Sequence, residues 1–159
     1  MRMVSISERI LLTLWVGGLW AIGYLAVPVL FHALDDRQLA GELAGRMFGI
    51  LSIVGLMCGV LLLIGALYRA GARWQRAWRV WVLLAMLVLV ATGFFVLQPM
   101  MQDLKAQGLV EGSAQAAKFG RLHGISSIMY LVTSLLGLAL VIAWPGKERA
   151  ARYGMYDLR

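Results

Sequence analysis

The chain has 159 residues, 61% of them hydrophobic and 14% charged, against roughly 25% charged in an average soluble domain. Its formal charge is +7, and it carries two histidines and one cysteine, Cys58. This composition excludes an ordinary soluble domain, a disulfide framework and a multi-cysteine metal site.

Four uncharged or nearly uncharged runs, about 10–34, 47–68, 80–102 and 122–145, each reach the roughly 20 apolar residues that cross a bilayer. They lack the period-two alternation of barrel strands, so helices are the spanning form that pairs every backbone amide within its own segment. The expected fold is all-α, an integral membrane four-helix bundle forming one domain over 1–159. The first run follows Arg2 and Arg9 but exceeds the roughly 7–15 apolar residues of a secretion signal, so it reads as a retained helix.

Within that first run, Gly17 and Gly18 offer close helix packing, and Pro28 removes a ladder bond to Tyr24 and bends the outer end. His32 follows about one turn later. Asp35 and Asp36 are candidate caps for a stretch in which Leu39, Leu43 and Met47 recur every four residues. That stretch reads as an interfacial helix or, more simply, as a connector. The second run holds Gly55 and Gly59, a small-xxx-small pair whose default partner is another helix of the same chain. Between runs two and three, Arg73, Arg76 and Arg79 alternate with Trp74 and Trp78. This is the pattern of an aromatic belt and a positive-inside anchor; nucleic acid binding needs a folded basic module that is missing here.

The third run ends in Gln98-Pro99-Met100-Met101, where Gln98 needs a partner for its amide. Ser113 is a candidate cap for a helix that continues into the fourth run. There His123, Ser127, Tyr130, Ser134 and Gly137 fall at spacings of four, three, four and three, one side of a helix, and are expected to face the other spans. Pro145-Gly146 ends that run, leaving a basic tail over 146–159.

Lys and Arg number ten on the side of the amino end, second connection and tail, against five in the first and third connections. The positive-inside rule then puts both termini in the cytoplasm of a bacterial-type inner membrane. With that orientation His32 and His123 come to the same outer face, at a depth shared by Met47, Met100 and Met101. Imidazole with thioether sulfur suits copper, and two histidines on different helices suit haem iron. The alternative is that His123 bonds a neighbouring helix and His32 is solvated. A nucleophile elbow, phosphate loop and buried carboxylate pair are absent, which leans against an enzyme.

Two groups of residues carry a family resemblance. Leu14-Trp15-Val16-Gly17-Gly18 with Val27-Pro28-Val29-Leu30-Phe31, and Gln98-Pro99-Met100-Met101 with Phe119-Gly120-Arg121-Leu122-His123-Gly124-Ile125-Ser126, resemble the transmembrane protein 205-like family. These are small four-helix membrane proteins grouped under a domain-of-unknown-function heading. The resemblance spans about Leu12 to Trp144, with Tyr130 standing where the family often has asparagine. A more distant likeness in layout to the copper-resistance protein D membrane domain implies copper as a ligand by analogy. From residues and resemblance together, the expectation is a small non-enzymatic membrane protein. It meets the lipid bilayer and either another membrane protein or a second copy of itself as an accessory or scaffold subunit. The alternative is a copper or haem site on His32 and His123.

Overall fold

Proline and glycine, rather than charge, mark where the helices of this chain change pitch. The computed structural model describes residues 2–108 and 112–143, and among them every regular element is helical. The elements are α1 (Arg2–Trp20), α2 (Val27–Ala33), α3 (Arg37–Ala70), α4 (Trp78–Thr92), α5 (Gln98–Ala106) and α6 (Ala114–Ile142). α1 and α2 are one rod joined by a π-helical stretch, Ala21–Ala26, and α4 and α5 are another joined by Gly93–Leu97. In each rod the last π bond reaches five residues back, Val27 to Ile22 and Gln98 to Gly93, and the next residue is proline. A proline ring crowds the carbonyl four residues earlier and offers no amide. Widening the turn before it gives that carbonyl room, so the bends expected at Pro28 and Pro99 take the form of π turns.

Asp36 is the cap of α3, its Oδ1 accepting the amides of Gln38 at 2.8 Å and Leu39 at 3.1 Å. The segment 37–46 is therefore neither a connector nor a separate interfacial helix: it forms the first turns of α3 itself. A capped start and a run without proline, mostly good helix formers apart from Gly41 and Gly45, let the helix continue through it. Gly71, at φ +53°, ends α3, and a 3-10 turn over Gly71–Arg76 leads to α4, pinned where the Trp81 indole donates to the Gln75 carbonyl at 3.0 Å. Ser113 caps α6, its Oγ accepting the Ala116 amide at 3.1 Å. The stop at Pro145-Gly146 and the basic tail lie outside the described residues.

α1 packs on α3, α3 on α4, α4 on α6, and α6 back on α1, so the four rods form a ring in chain order. Short connections make consecutive rods antiparallel. The rods Ile6–Ala33, Arg37–Arg76, Trp78–Ala106 and Ala114–Ile142 are each long and apolar enough to cross a membrane. Only 22–33% of each apolar window is buried inside the bundle, leaving Leu25, Ile50, Met57, Phe95 and Ile128 on the outside. Such a surface is stable against acyl chains and not against water.

The core is densest toward the amino end, around Trp15, which is 0% exposed. Its indole fills the space beside Gly55 and Gly59 of α3. A methyl at Gly55 would sit 2.5 Å from the indole nitrogen, and one at Gly59 would sit 2.8 Å from the ring's Cη2. Val80, Leu83 and Met86 of α4 and Leu140 of α6 close over it. Cys58 is buried among them as a small packed residue. With little hydrophobic drive between helices in lipid, this ring-on-glycine fit carries the association through dispersion.

Candidate functional site

Polar side chains collect at three levels of the bundle. At mid-height the first π turn meets α6. Where a ladder shifts from four- to five-residue bonding, one backbone group at the boundary loses its regular partner. The Leu19 carbonyl lies at that boundary and accepts the Tyr130 hydroxyl, whose ring fills the space a side chain at Gly23 would need. Tyr24, within the π stretch, lies 2.7 Å from the Oγ of Ser134, which is 0% exposed. Ser134 gives its single hydrogen to the Leu131 carbonyl, so Tyr24 is the donor to Ser134. Phe48 of α3 meets Tyr130 edge-on at 5.1 Å, and Trp20 lies 4.8 Å from Tyr24. Three hydroxyls and two carbonyls are thus paired beside an aromatic collar.

The stripe on α6 is split between inside and outside. Tyr130, Ser134 and Gly137 face inward, and a methyl at Gly137 would come 2.9 Å from Val16. Thr133, also buried and bonded to the Met129 carbonyl, belongs with them although the stripe left it out. His123 and Ser127 are exposed. The expectation that all five face other spans is corrected here. Ser127 donates to the His123 carbonyl of its own helix at 2.9 Å, which makes outward exposure cheap. A strict seven-residue repeat also drifts about 20° per heptad around a straight helix.

At the end remote from the amino terminus, His32 is exposed with Nδ1 3.2 Å from the Pro28 carbonyl. His123 stacks on Phe119, ring centroids 6.1 Å apart, and Lys105 reaches the Phe119 ring at 5.7 Å. Met47 and Met101 are half-buried and Met100 is exposed. Among the described residues no three His, Cys, Asp or Glu side chains gather as a metal-holding group. Arg46 turns back to Glu42 on its own helix at 2.7 Å, an exposed pair of little energetic weight. Gln98 finds the partner its amide needs, and the residues that meet it here, Gly41, Gly45 and Gln102 among them, are ones sequence reasoning passed over. Gln98 donates to the Gly45 carbonyl at 3.3 Å, a methyl at Gly45 would lie 3.9 Å from Gln102, and one at Gly41 would lie 4.0 Å from Lys105. The signal was present as glycines four apart at 41, 45 and 49, opposite polar residues at 98, 102 and 105.

At the amino end, Glu8 is 5% exposed and forms an ion pair with Arg69, which Gly65 makes possible by leaving its carboxylate room. Sequence reading alone assigns Glu8 no role. It stands four residues before Leu12 on the face that continues to Trp15 and Leu19, a helical register that turns it inward. Arg69 and Arg79 also line a small cavity walled by Leu12, Leu62, Leu83 and Leu140. Of the predicted packing glycines, Gly18, Gly55, Gly59 and Gly137 face side chains of neighbouring helices, while a methyl at Gly17 would meet nothing within 4 Å.

Four membrane-length helices, an outward apolar surface and inward polar groups paired with one another define a multi-pass helical membrane protein. The family model described as a domain of unknown function, DUF4149, matches residues 10–109, and the chain belongs to that family. The match takes in the first three rods and ends before α6, so the Phe119–Ser126 segment lies beyond it. No curated protein and no solved structure matches the chain.

Proposed function

We propose that this chain is a non-enzymatic accessory or scaffold subunit of a membrane complex. We place it in a bacterial-type inner membrane as a single domain with both termini in the cytoplasm. The observation that carries the reading is a contrast between glycines. Gly18, Gly55, Gly59 and Gly137 are filled by the chain's own side chains, whereas methyls at Gly120 and Gly124, one turn apart near the start of α6, would meet nothing within 4 Å. Glycines at that spacing let a second helix approach closely. The orientation follows the excess of Lys and Arg at the amino end, the second connection and the tail. The Phe119–Ser126 segment supports assignment to the transmembrane protein 205-like group in particular.

The test is photo-cross-linking in native membranes from positions 120 and 124, with position 57, on the exposed apolar face of α3, as control. A discrete adduct from 120 and 124, lost on Gly124→Leu with no change in thermal stability, is the expected result. Adducts to lipid alone at all three positions would refute the subunit role.

A second reading is a copper or haem site on His32 and His123, with Met47, Met100 and Met101 nearby. What favours it is the Pro28 carbonyl at His32 Nδ1, since metal-binding histidines commonly engage a carbonyl through the ring nitrogen that does not bind metal. Purified protein that carries stoichiometric copper or a Soret band, lost on His123→Ala, would favour this reading over the first.

A further inference from the structure

Packing is uneven along the bundle. The buried core cluster is built from α1, α3 from Leu51 onward, α4 and the end of α6. In the half remote from the amino terminus, over α2, residues 37–50 of α3, residues 93–106 and residues 114–129 of α6, the buried residues are Ala40, Ala44, Leu97 and Leu104, none of them in that cluster. Regions with few buried apolar contacts are the ones that open locally at low cost. One seam there is held almost entirely by long polar side chains. α4 packs on α3, but α5, which continues the same rod, packs on α6 and has no comparable packing on α3. Gln98 reaches across to donate to the Gly45 carbonyl at 3.3 Å, beyond the usual range of roughly 2.7–3.2 Å. Gln102 rests against Gly45, and Lys105 extends between Gly41 and the Phe119 ring of α6.

We propose that this seam is a gate, in which α5 swings away from α3 about the π turn Gly93–Leu97 while keeping its contact with α6. The pivot has the means to bend. Pro99 leaves the backbone there without one amide bond, and a methyl at Gly93 would meet nothing within 4 Å, so the turn can change its angle without a clash. A change of about 20° moves the far end of the nine-residue α5, about 13 Å long, by about 5 Å. The motion breaks one long hydrogen bond and two contacts onto glycine, and no member of the buried core cluster has to move. The seam leads to the mid-height hydroxyls. A methyl at Gly49 would lie 3.3 Å from the Gln98 amide, and Phe48, the residue before it, meets Tyr130 edge-on. Parting at Gln98 therefore uncovers Phe48 and Tyr130 from the remote end, while the core around Trp15 stays closed. Neither the subunit reading nor the metal reading requires such a motion.

The test is a pair of spin-label distances in the full chain, carrying Cys58→Ser and reconstituted in lipid bilayers. Labels on Leu43→Cys and Asp103→Cys span the seam, and labels on Leu61→Cys and Val88→Cys join α3 and α4 beside the core; all four positions are exposed. The expected result is a second population at the seam pair, about 5 Å longer than the first, with a single narrow distance at the core pair. Gln98→Ala removes the hydrogen bond across the seam and should at least double the share of the longer distance. A single narrow distance at both pairs would overturn the gate. Equal broadening at both pairs would overturn it too, since the bundle would then loosen as a whole and not at the π turn. An unchanged share in Gln98→Ala would overturn the role of Gln98 as its latch. If that variant fails to fold, the comparison of the two label pairs with Gln98 in place still decides for or against the gate.

Discussion

Trp15 organises the packing of this protein because its ring is large and the surface it lies on has no side chains. Gly55 and Gly59 bring the α3 backbone to van der Waals contact with the indole. In water-soluble cores Trp→Ala costs about 3–5 kcal/mol, part of it transfer free energy. Between helices in lipid that part is largely absent, so Trp15→Ala should destabilise by roughly 2 kcal/mol. Gly59→Leu should be worse, because the added branch has to displace Trp15, Leu87 or both. Unfolding of detergent-solubilised protein by added denaturing detergent measures both. Tyr130 is a different case, a single hydroxyl serving a carbonyl at the edge of the π turn. Tyr130→Phe keeps the aromatic collar and removes that bond, so the expected loss is about 0.6 kcal/mol, the average found for interhelical hydrogen bonds in a membrane protein. At this scale the sequence was partly legible. Tyr130, Ser134, Gly55 and Gly59 stood out as polar or small residues in apolar runs. Glu8 did not, since a charge near a run's start reads as a flank until the neighbouring helix, with Gly65 in place, is seen to enclose it.

Helices α1–α2 and α4–α5 share one device, a π turn closed by the residue before a proline. Replacing Pro99 by Ala restores an amide that can bond four residues back, and removes the reason for the wider turn. We expect the π stretch Gly93–Leu97 to revert toward regular α pitch. Rotating the following α5 would then weaken the Gln98–Gly45 bond, and hydrogen exchange at the amides of 94–98 in wild type and variant checks this. The α3 start behaves more simply. Asp36→Ala removes an acceptor for two amides and should cost about 1 kcal/mol, with fraying confined to the first turn. Asp36 as a cap and Pro28 as a bend were readable from residue type. That segment 37–46 is a continuation of α3 was harder to read, because the apolar run begins only at about residue 47. The amphipathic start of a helix resembles a linker when its apolar partners are unknown.

For the molecule as a whole, orientation is the property most directly open to test. With Cys58 changed to Ser, a single cysteine at Arg76 in the second connection and another at Gln107 in the third lie at opposite ends of the bundle. In intact cells, an impermeant thiol reagent should label position 107 and reach position 76 only after the membrane is opened. The reverse pattern would invert the topology. The number of spans, their helical nature and their apolar exterior were set by the sequence alone, because length and hydropathy suffice once water is replaced by lipid as the surrounding medium. Tertiary structure decided which glycines Trp15 and Tyr130 occupy, that the stripe on α6 turns inward only from Tyr130 onward, and that Glu8 and Arg69 meet across 61 residues of chain. Those outcomes depend on the rotation of each rod about its own axis. A run apolar on nearly every side leaves that rotation open until neighbouring side chains interlock.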